Sequence, residues 1–257
     1  MDAVAGGPNL SSPSATTLQP HHRLSVDAHF GPLHLLAHLH LTAPWTVIFG
    51  PSGSGKSSLL RAACGLLHPA AVEFSARPAN QAAWLKIQSR HHTTPVHQRS
   101  IGYAPQGSVL FPHLSVRENI AFAAQVRHIH DHHSITAAIH LFELAQLAHR
   151  MPRDLSGGER QRVNLARAFA VPSARLLLLD EPFTGVDRHR RDILLPRMQQ
   201  HAAHLGIPIL SVTHDVEEAL LLDAEVIRIE QGAVIDQGPA TRVLADERAR
   251  ILTVLNR

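Results

Sequence analysis

Trp45-Thr46-Val47-Ile48-Phe49-Gly50-Pro51-Ser52-Gly53-Ser54-Gly55-Lys56-Ser57-Ser58-Leu59-Leu60 is the stretch on which the fold turns. An apolar run of strand length meets a glycine-rich loop, and the loop meets good helix formers, Leu59-Leu60-Arg61-Ala62-Ala63. Gly50 to Ser57 satisfy the pattern G-x-x-x-x-G-K-[ST]. Its glycines let successive backbone N–H groups turn inward, an arrangement that embraces phosphate oxygens. The positive end of the following helix adds to that field. Lys56 neutralises charge on a β/γ-phosphate, and the Ser57 hydroxyl is suited to ligate Mg²⁺. Pro51, Ser52, Ser54 and Ser58 make up the rest of the expected nucleotide cradle. Strand, loop and helix in this order separate the pattern from a chance Gly/Ser turn.

Outward from the loop, strands and helices alternate. Loose alternation from Arg23 to Leu41 predicts an antiparallel strand pair ahead of the cradle. Residues 72–100 lack clear periodicity and read as short strands and loops. The stretch from Ser115 to Gln146 has a helical pattern, opened by a Ser115/Glu118 capping box. A second helix is expected to start at Ser156 and stop before Pro172, with Val163, Ala166, Phe169 and Ala170 inward. Leu176 to Leu179 reads as a fully buried parallel strand. Asp187 caps a further helix, Ile207–Val212 forms another strand, and Glu225–Glu230 pairs with Ala233–Gln237 across a turn at Gln231-Gly232. The alternation predicts an α/β core with a helical subdomain at about 107–172 inserted in it. Residues 1–20, rich in Pro, Ser, Thr, Gly and Ala, read as a disordered tail, leaving 21–257 as the folded unit.

Two further stretches carry chemistry. Leu176-Leu177-Leu178-Leu179-Asp180-Glu181 ends a buried strand in two carboxylates. Such a strand end can deliver Asp180 to a metal, directly or through water, and Glu181, one residue on, can polarise a water for in-line attack on a γ-phosphate. Leu155-Ser156-Gly157-Gly158-Glu159 has capping-box spacing, which by itself means a well-capped helix. Two glycines in a first turn cost about 1 kcal/mol each in propensity. They make sense where bare backbone approaches a phosphate closely.

Composition bounds the classes. The chain has 257 residues with 44% apolar and 18% charged, enough for a sizeable core and against wholesale disorder. No apolar run reaches membrane-spanning length, so an integral membrane protein is excluded, and the first residues lack the features of a secretory signal. A single cysteine, Cys64, forms no intrachain disulfide and fits a reducing compartment; it reads as a small buried hydrophobe. Lys plus Arg exceed Asp plus Glu by only three, so no nucleic-acid partner is expected. His128, His130, His132 and His133 around Asp131 have the density of a metal site, but they fall between helical stretches of a histidine-rich chain and read as a solvated connector.

LSGGERQR (155–162), together with the glycine loop and Asp180-Glu181, resembles the ATP-binding cassette ATPases of ABC transporters. The resemblance covers about residues 23–244 and supplies further residues in family order. It implies that Gln106 contacts the metal and the attacking water and communicates with the membrane subunit. It implies that Asp187 belongs to a loop crossing a dimer interface, and that His214 bonds the γ-phosphate. By resemblance the fold is a P-loop NTPase core, a mixed and mainly parallel sheet with an antiparallel β subdomain and the helical insertion. Two copies pair head to tail, each ATP lying between Lys56 and Ser57 of one and Ser156, Gly157 and Gly158 of the other. Three side features depart from the family pattern. Phe30 is the aromatic available in the first strand pair for stacking adenine, with a core role equally open. Ala104-Pro105 precede Gln106, and Gly185-Val186 precede Asp187, where other residues are commoner.

Within the family, residues 41–50, 110–120 and 194–210 are most similar to the ATPases of molybdate importers, and less so to those of sulfate, phosphate and polyamine importers. The resemblance implies a peripheral subunit on the cytoplasmic face of the inner membrane. Its partners are transmembrane permease subunits and, indirectly, a periplasmic binding protein. With the sequence ending at Arg257, the C-terminal oxyanion-binding domain common in molybdate ATPases, and feedback inhibition through it, are not expected. Soluble ABC ATPases of translation or DNA repair are the rival class; they usually carry two cassettes or a long coiled-coil insertion.

Overall fold

The computed structural model describes residues 21–67, 71–77, 85–89, 91–129 and 131–255; the expected tail over 1–20 lies outside them. One sheet organises the chain. Its strands are β1 (His21–Phe30), β2 (Leu33–Leu41), β3 (Trp45–Phe49), β4 (Ala71–Arg77), β5 (Leu85–Ser89), β6 (His92–Thr93), β7 (Ile101–Ala104), β8 (Leu176–Asp180), β9 (Ile209–Val212), β10 (Glu225–Glu230) and β11 (Ala233–Pro239). They lie in the order β6-β5-β4-β1-β2-β11-β10-β3-β9-β8-β7. Neighbours from β10 through β3, β9 and β8 to β7 run parallel, whereas β6, β5, β4, β1 and β2 pair antiparallel. The expected hairpins β1–β2 and β10–β11 are both present, the second turning at Gln231-Gly232.

β3 and β8 are buried along their whole length because both sheet faces are covered. Period-two alternation divides their side chains between two cores. Val47, Phe49, Leu177 and Leu179 face one core, shared with α2 (Val116–Val126), α3 (His132–Leu141), α4 (Gly157–Phe169) and α5 (Arg188–Leu205). Ile48, Leu176 and Leu178 face the other, against α1 (Lys56–Cys64) and the β1–β2 hairpin. A short helix, α6 (Val216–Leu221), follows β9.

Between β7 and β8 the chain runs through α2, α3 and α4. The helical pattern read over 115–146 resolves into α2 and α3, which part at the histidine cluster read as a connector although His132 and His133 belong to α3, with a single helical turn of 3₁₀ type at Ala145–Leu147. Two local features interrupt it. His128 adopts a left-handed conformation (φ 54°), and Asp131 caps α3, its side chain accepting from Ser134 N. That cap also answers the metal reading of the histidine cluster in part: the Asp131 carboxylate is engaged in capping, and His132 and His133 open α3. Among the described residues, which exclude His130, no group of three or more His, Cys, Asp or Glu is set to hold a metal. Nor is any helix among them long and apolar enough to cross a membrane.

Candidate nucleotide site

The four parallel strands β3, β9, β8 and β7 end at the same edge of the sheet. Register pairs Ile48 with Val212, Asp180 with Val212, and Ala104 with Leu179. The residues immediately after each strand therefore converge: Gly50 after β3, Thr213-His214 after β9, Glu181 after β8, and Gln106 after β7. Open parallel sheets bind ligands beyond such carboxyl ends.

After β3 the cradle is set by close approaches. A Cβ on Gly50 would sit 2.1 Å from the Ile229 carbonyl oxygen, so only glycine lets β3 leave the sheet there. Gly55 is the N-cap of α1 with φ 98°, which leaves that helix N-terminus without a side-chain cap and open to an anion. The turn at Gly232 braces the loop, its N–H donating to Ser54 O at 3.2 Å. Lys56 is buried, and its Nζ donates to Gly50 O (2.9 Å) and Pro51 O (2.8 Å). Burial lowers its pKa, while Glu181 and Asp180 act to raise it. Ser54 Oγ is buried in the loop without a hydrogen-bond partner.

Ser57 Oγ donates to Asp180 Oδ1 at 2.8 Å. Asp180 is fully buried, and burial pushes its carboxyl pKa up against the lowering effect of the Ser57 bond. Its second oxygen, Oδ2, is buried without a partner. An unpaired carboxylate oxygen beside a serine hydroxyl at a phosphate cradle is the hard oxygen donor set that Mg²⁺ takes. The residues present therefore fit that ion, and the free Ser54 hydroxyl fits a phosphate oxygen.

Glu181 has φ 52°, a left-handed conformation rare for a side-chain-bearing residue. His214 Nδ1 lies 2.9 Å from its carboxylate, and Thr184 Oγ1 donates to it at 3.2 Å. A cavity of about 210 Å³ opens at this point, lined by Glu181, Thr184, Thr213, His214 and Glu218 among others. Gln106 is exposed at the end of β7, beside the Glu181 turn in the strand order.

Ser156 caps α4 in a full capping box: Ser156 N donates to Glu159 Oε2 (2.7 Å), and Glu159 N to Ser156 Oγ (3.3 Å). Ser156 and Gly157 are exposed, with open space around Gly157. A Cβ on Gly158 would lie 3.0 Å from Gly185 O, so the helix tip packs on the loop leading to Asp187. Asp187 caps α5, accepting from Arg190 N at 2.9 Å. Phe30 is half-buried against the second core. A cleft of about 570 Å³ beside the cradle is lined by Pro32, Leu33, His34, the Pro51–Ser54 segment and Gln231.

Three residues that sequence reasoning did not single out join the site. Buried Gln161 contacts the Glu181 turn, and buried Glu218 lines the cavity under His214. Arg191 pairs with Asp215 (2.5 Å) and Glu217 (2.9 Å), binding the start of α5 to the start of α6. Their sequence neighbours give no sign of these long-range partners.

Fold and cradle together define a P-loop nucleotide-binding protein. The ABC transporter family matches residues 41–184, more than half of the chain, and this chain belongs to it. Among its relatives is the molybdenum import ATP-binding protein ModC of Albidiferax ferrireducens, 40% identical over 204 residues that cover 77% of this chain and 53% of that protein. ModC of Pseudomonas aeruginosa is 38% identical over 205 residues, covering 78% and 54%. The Fe(3+) ions import ATP-binding protein FbpC of Haemophilus influenzae is 38% identical over 194 residues, covering 73% and 52%. The chain thus spans about half the length of these relatives. A dimeric bacterial ABC transporter cassette, MJ0796, shares the fold with a TM-score of 0.69 at 23% identity, covering 85% of this chain and 98% of its own.

Proposed function

We propose that this chain hydrolyses ATP to power a membrane importer, with molybdate or a similar oxyanion as the cargo of its system. The observation that carries the reading is the convergence, at one sheet edge, of the Lys56 cradle, the Ser57–Asp180 bond and the Glu181–His214 pair. A triphosphate lies along Gly50–Ser58, and Lys56 exchanges its two carbonyl partners for β/γ-phosphate oxygens. Ser57, Asp180 and Gln106 would hold Mg²⁺, which when bound would supply charge neutralisation on those oxygens. Glu181 takes the proton of the attacking water, His214 orients the Glu181 carboxylate and bonds the γ-phosphate, and Gln106 helps to place the water.

Two copies work as a head-to-tail homodimer. Ser156, Gly157 and Gly158 of one copy close over the triphosphate held by the other, and Asp187 lies in the loop that crosses between them. The exposed Ser156 and Gly157 at the tip of α4 support this, since the first turn of a helix carries N–H groups without intrahelical partners, suited to an anion. The pair sits peripherally on the cytoplasmic face of the membrane, with the stretch from Gln106 to Ile120 against permease subunits and a periplasmic binding protein delivering cargo. The names of the ModC relatives support molybdate; the FbpC relative supports a second reading, ferric ions.

Reconstitution with permease subunits of a molybdate importer tests this. Mg²⁺-dependent ATP turnover, stimulated by a binding protein loaded with molybdate, is the expected result. Stimulation by ferric ion or sulfate alone replaces the cargo, and absence of ATP turnover removes the activity.

A further inference from the structure

Gln161 joins two loops through one buried amide. It lies on α4 and is 2% exposed. Its Oε1 accepts from Ser108 Oγ, two residues past Gln106. Its Nε2 donates to Pro182 O at 2.8 Å and to Glu181 O at 3.3 Å. The orientation of the amide follows from these partners: two carbonyls demand the NH₂ end, and a hydroxyl supplies the other.

Both ends of this bridge are backbone conformations that an L residue resists. Ser108 has φ 49° and Glu181 has φ 52°. Such positions are strained and persist where surrounding bonds over-determine them. At Glu181 that backbone carries the side chain that meets His214. The rest of the helix face holds the same loop. Buried Asn164 donates to Pro105 O at 2.8 Å, and Arg167 donates to Val109 O at 2.8 Å with its guanidinium over the Phe111 ring. Of these three side chains, Gln161 also reaches the Glu181 turn.

We propose that Gln161 is a positioning residue: it holds the Glu181 turn in the geometry of a general base and ties it to the 105–109 loop, so that movement of that loop is felt at the base. This rests on the reading of Glu181 as the base and of the Gln106 loop as partner-facing. Gln161 touches neither substrate nor metal and acts through the backbone that aims Glu181.

The test uses the full chain with Gln161→Met, which keeps the volume and removes every polar bond, and with Gln161→Glu. Steady-state ATP turnover, affinity for a fluorescent ATP analogue and thermal melting are measured for each beside the unmodified chain. Misplacement of a catalytic group by about 1 Å costs about a hundredfold, and a smaller displacement costs less. The expected result for Gln161→Met is a kcat lower by about tenfold or more, with KM and nucleotide Kd within about twofold. For Gln161→Glu, the ionised carboxylate faces two carbonyls, while the protonated form again donates to one. Its kcat relative to the unmodified chain is therefore expected to recover as pH falls. Turnover within twofold of the unmodified chain in Gln161→Met overturns the proposal. So does a loss of kcat shared equally with nucleotide binding and with a pH-independent deficit in Gln161→Glu, which marks a merely structural part. Failure of the unmodified chain to hydrolyse ATP overturns the functional reading itself, and this proposal with it.

Discussion

Ser57 and Asp180, 123 residues apart in the chain, meet in a hydrogen bond of 2.8 Å that joins the start of α1 to the end of β8. One carboxylate oxygen is thereby fixed, and the other is left buried and unpaired. A group desolvated in this way is stable only if something else comes to it. Asp180→Asn keeps the shape and removes the charge. Mg²⁺-dependent ATP turnover of that variant is expected to fall by about a hundredfold or more, while melting temperature holds or rises because a buried charge is gone. Unchanged turnover would remove Asp180 from the metal site.

Glu181 is held from two sides, by His214 and by Thr184. Glu181→Gln preserves both as hydrogen-bonding geometry but takes away the basic oxygen. ATP binding is expected to persist and turnover to fall by about two to four orders of magnitude, with an ATP-bound dimer accumulating in size-exclusion chromatography. Phosphate release at the unmodified rate would take the base role from Glu181.

Glu218 gives the site a pH signature. It is buried on α6, and burial pushes its pKa from the ordinary 4.5 to about 7 despite a lowering bond from Thr213. Asp215 and Glu181 push it the same way as burial, and Arg191 opposes. Below pH 4.5 the folded and unfolded chains both hold the proton, whereas between 4.5 and 7 only the folded chain does. Stability therefore falls as pH rises through that window, by up to about 3 kcal/mol. Glu218→Gln lacks this loss. Its melting temperature relative to the unmodified chain is expected to be higher at pH 8.5 than at pH 5 by roughly 5 °C or more. A difference independent of pH would contradict the shift.

Gly102 sets how closely α4 packs on β7. On β7 it faces α4, and a Cβ there would lie 2.2 Å from Ala168 O and 2.6 Å from Leu177 Cδ2. Gly102→Ala is expected to lower stability by about 2 kcal/mol or more, seen as a melting temperature reduced by roughly 4 °C or more. A variant as stable as the unmodified chain would show that β7 and α4 separate freely.

Local patterns made the strongest parts of the site legible. Gly50–Ser57, Asp180-Glu181 and the Ser156/Glu159 box each depend on neighbours within a few residues, and each stands where its spacing predicts. The β1–β2 and β10–β11 hairpins were legible for the same reason. The α2–α3 connector was legible only in part: His128 lies in it as read, whereas His132 and His133, also read as connector, open α3 behind the Asp131 cap, a cap whose role the surrounding histidines mask. Gln161, Glu218 and Arg191 were hidden for another reason. Gln161 and Arg191 take their roles from Ser108 and Asp215, brought to them by tertiary folding, and Glu218 takes its role from burial and from Glu181 and Arg191, which lie far from it in the chain. Phe30 illustrates the same limit: pattern offers an aromatic in the first hairpin, while packing sets it half-buried against the core.

The claim on which the rest stands is that the Lys56 cradle of one copy and the α4 tip of another enclose a single ATP. Ser52 and Gly157 are both exposed, Gly157 has open space for a side chain, and the native Cys64 is buried with its thiol pKa pushed up by burial. Two differently tagged chains, one with Ser52→Cys and one with Gly157→Cys, each also carrying Glu181→Gln, are mixed and oxidised with and without Mg²⁺-ATP. A disulfide-linked dimer bearing both tags is expected to form with Mg²⁺-ATP and not without it. No such dimer under any nucleotide condition would contradict the shared site.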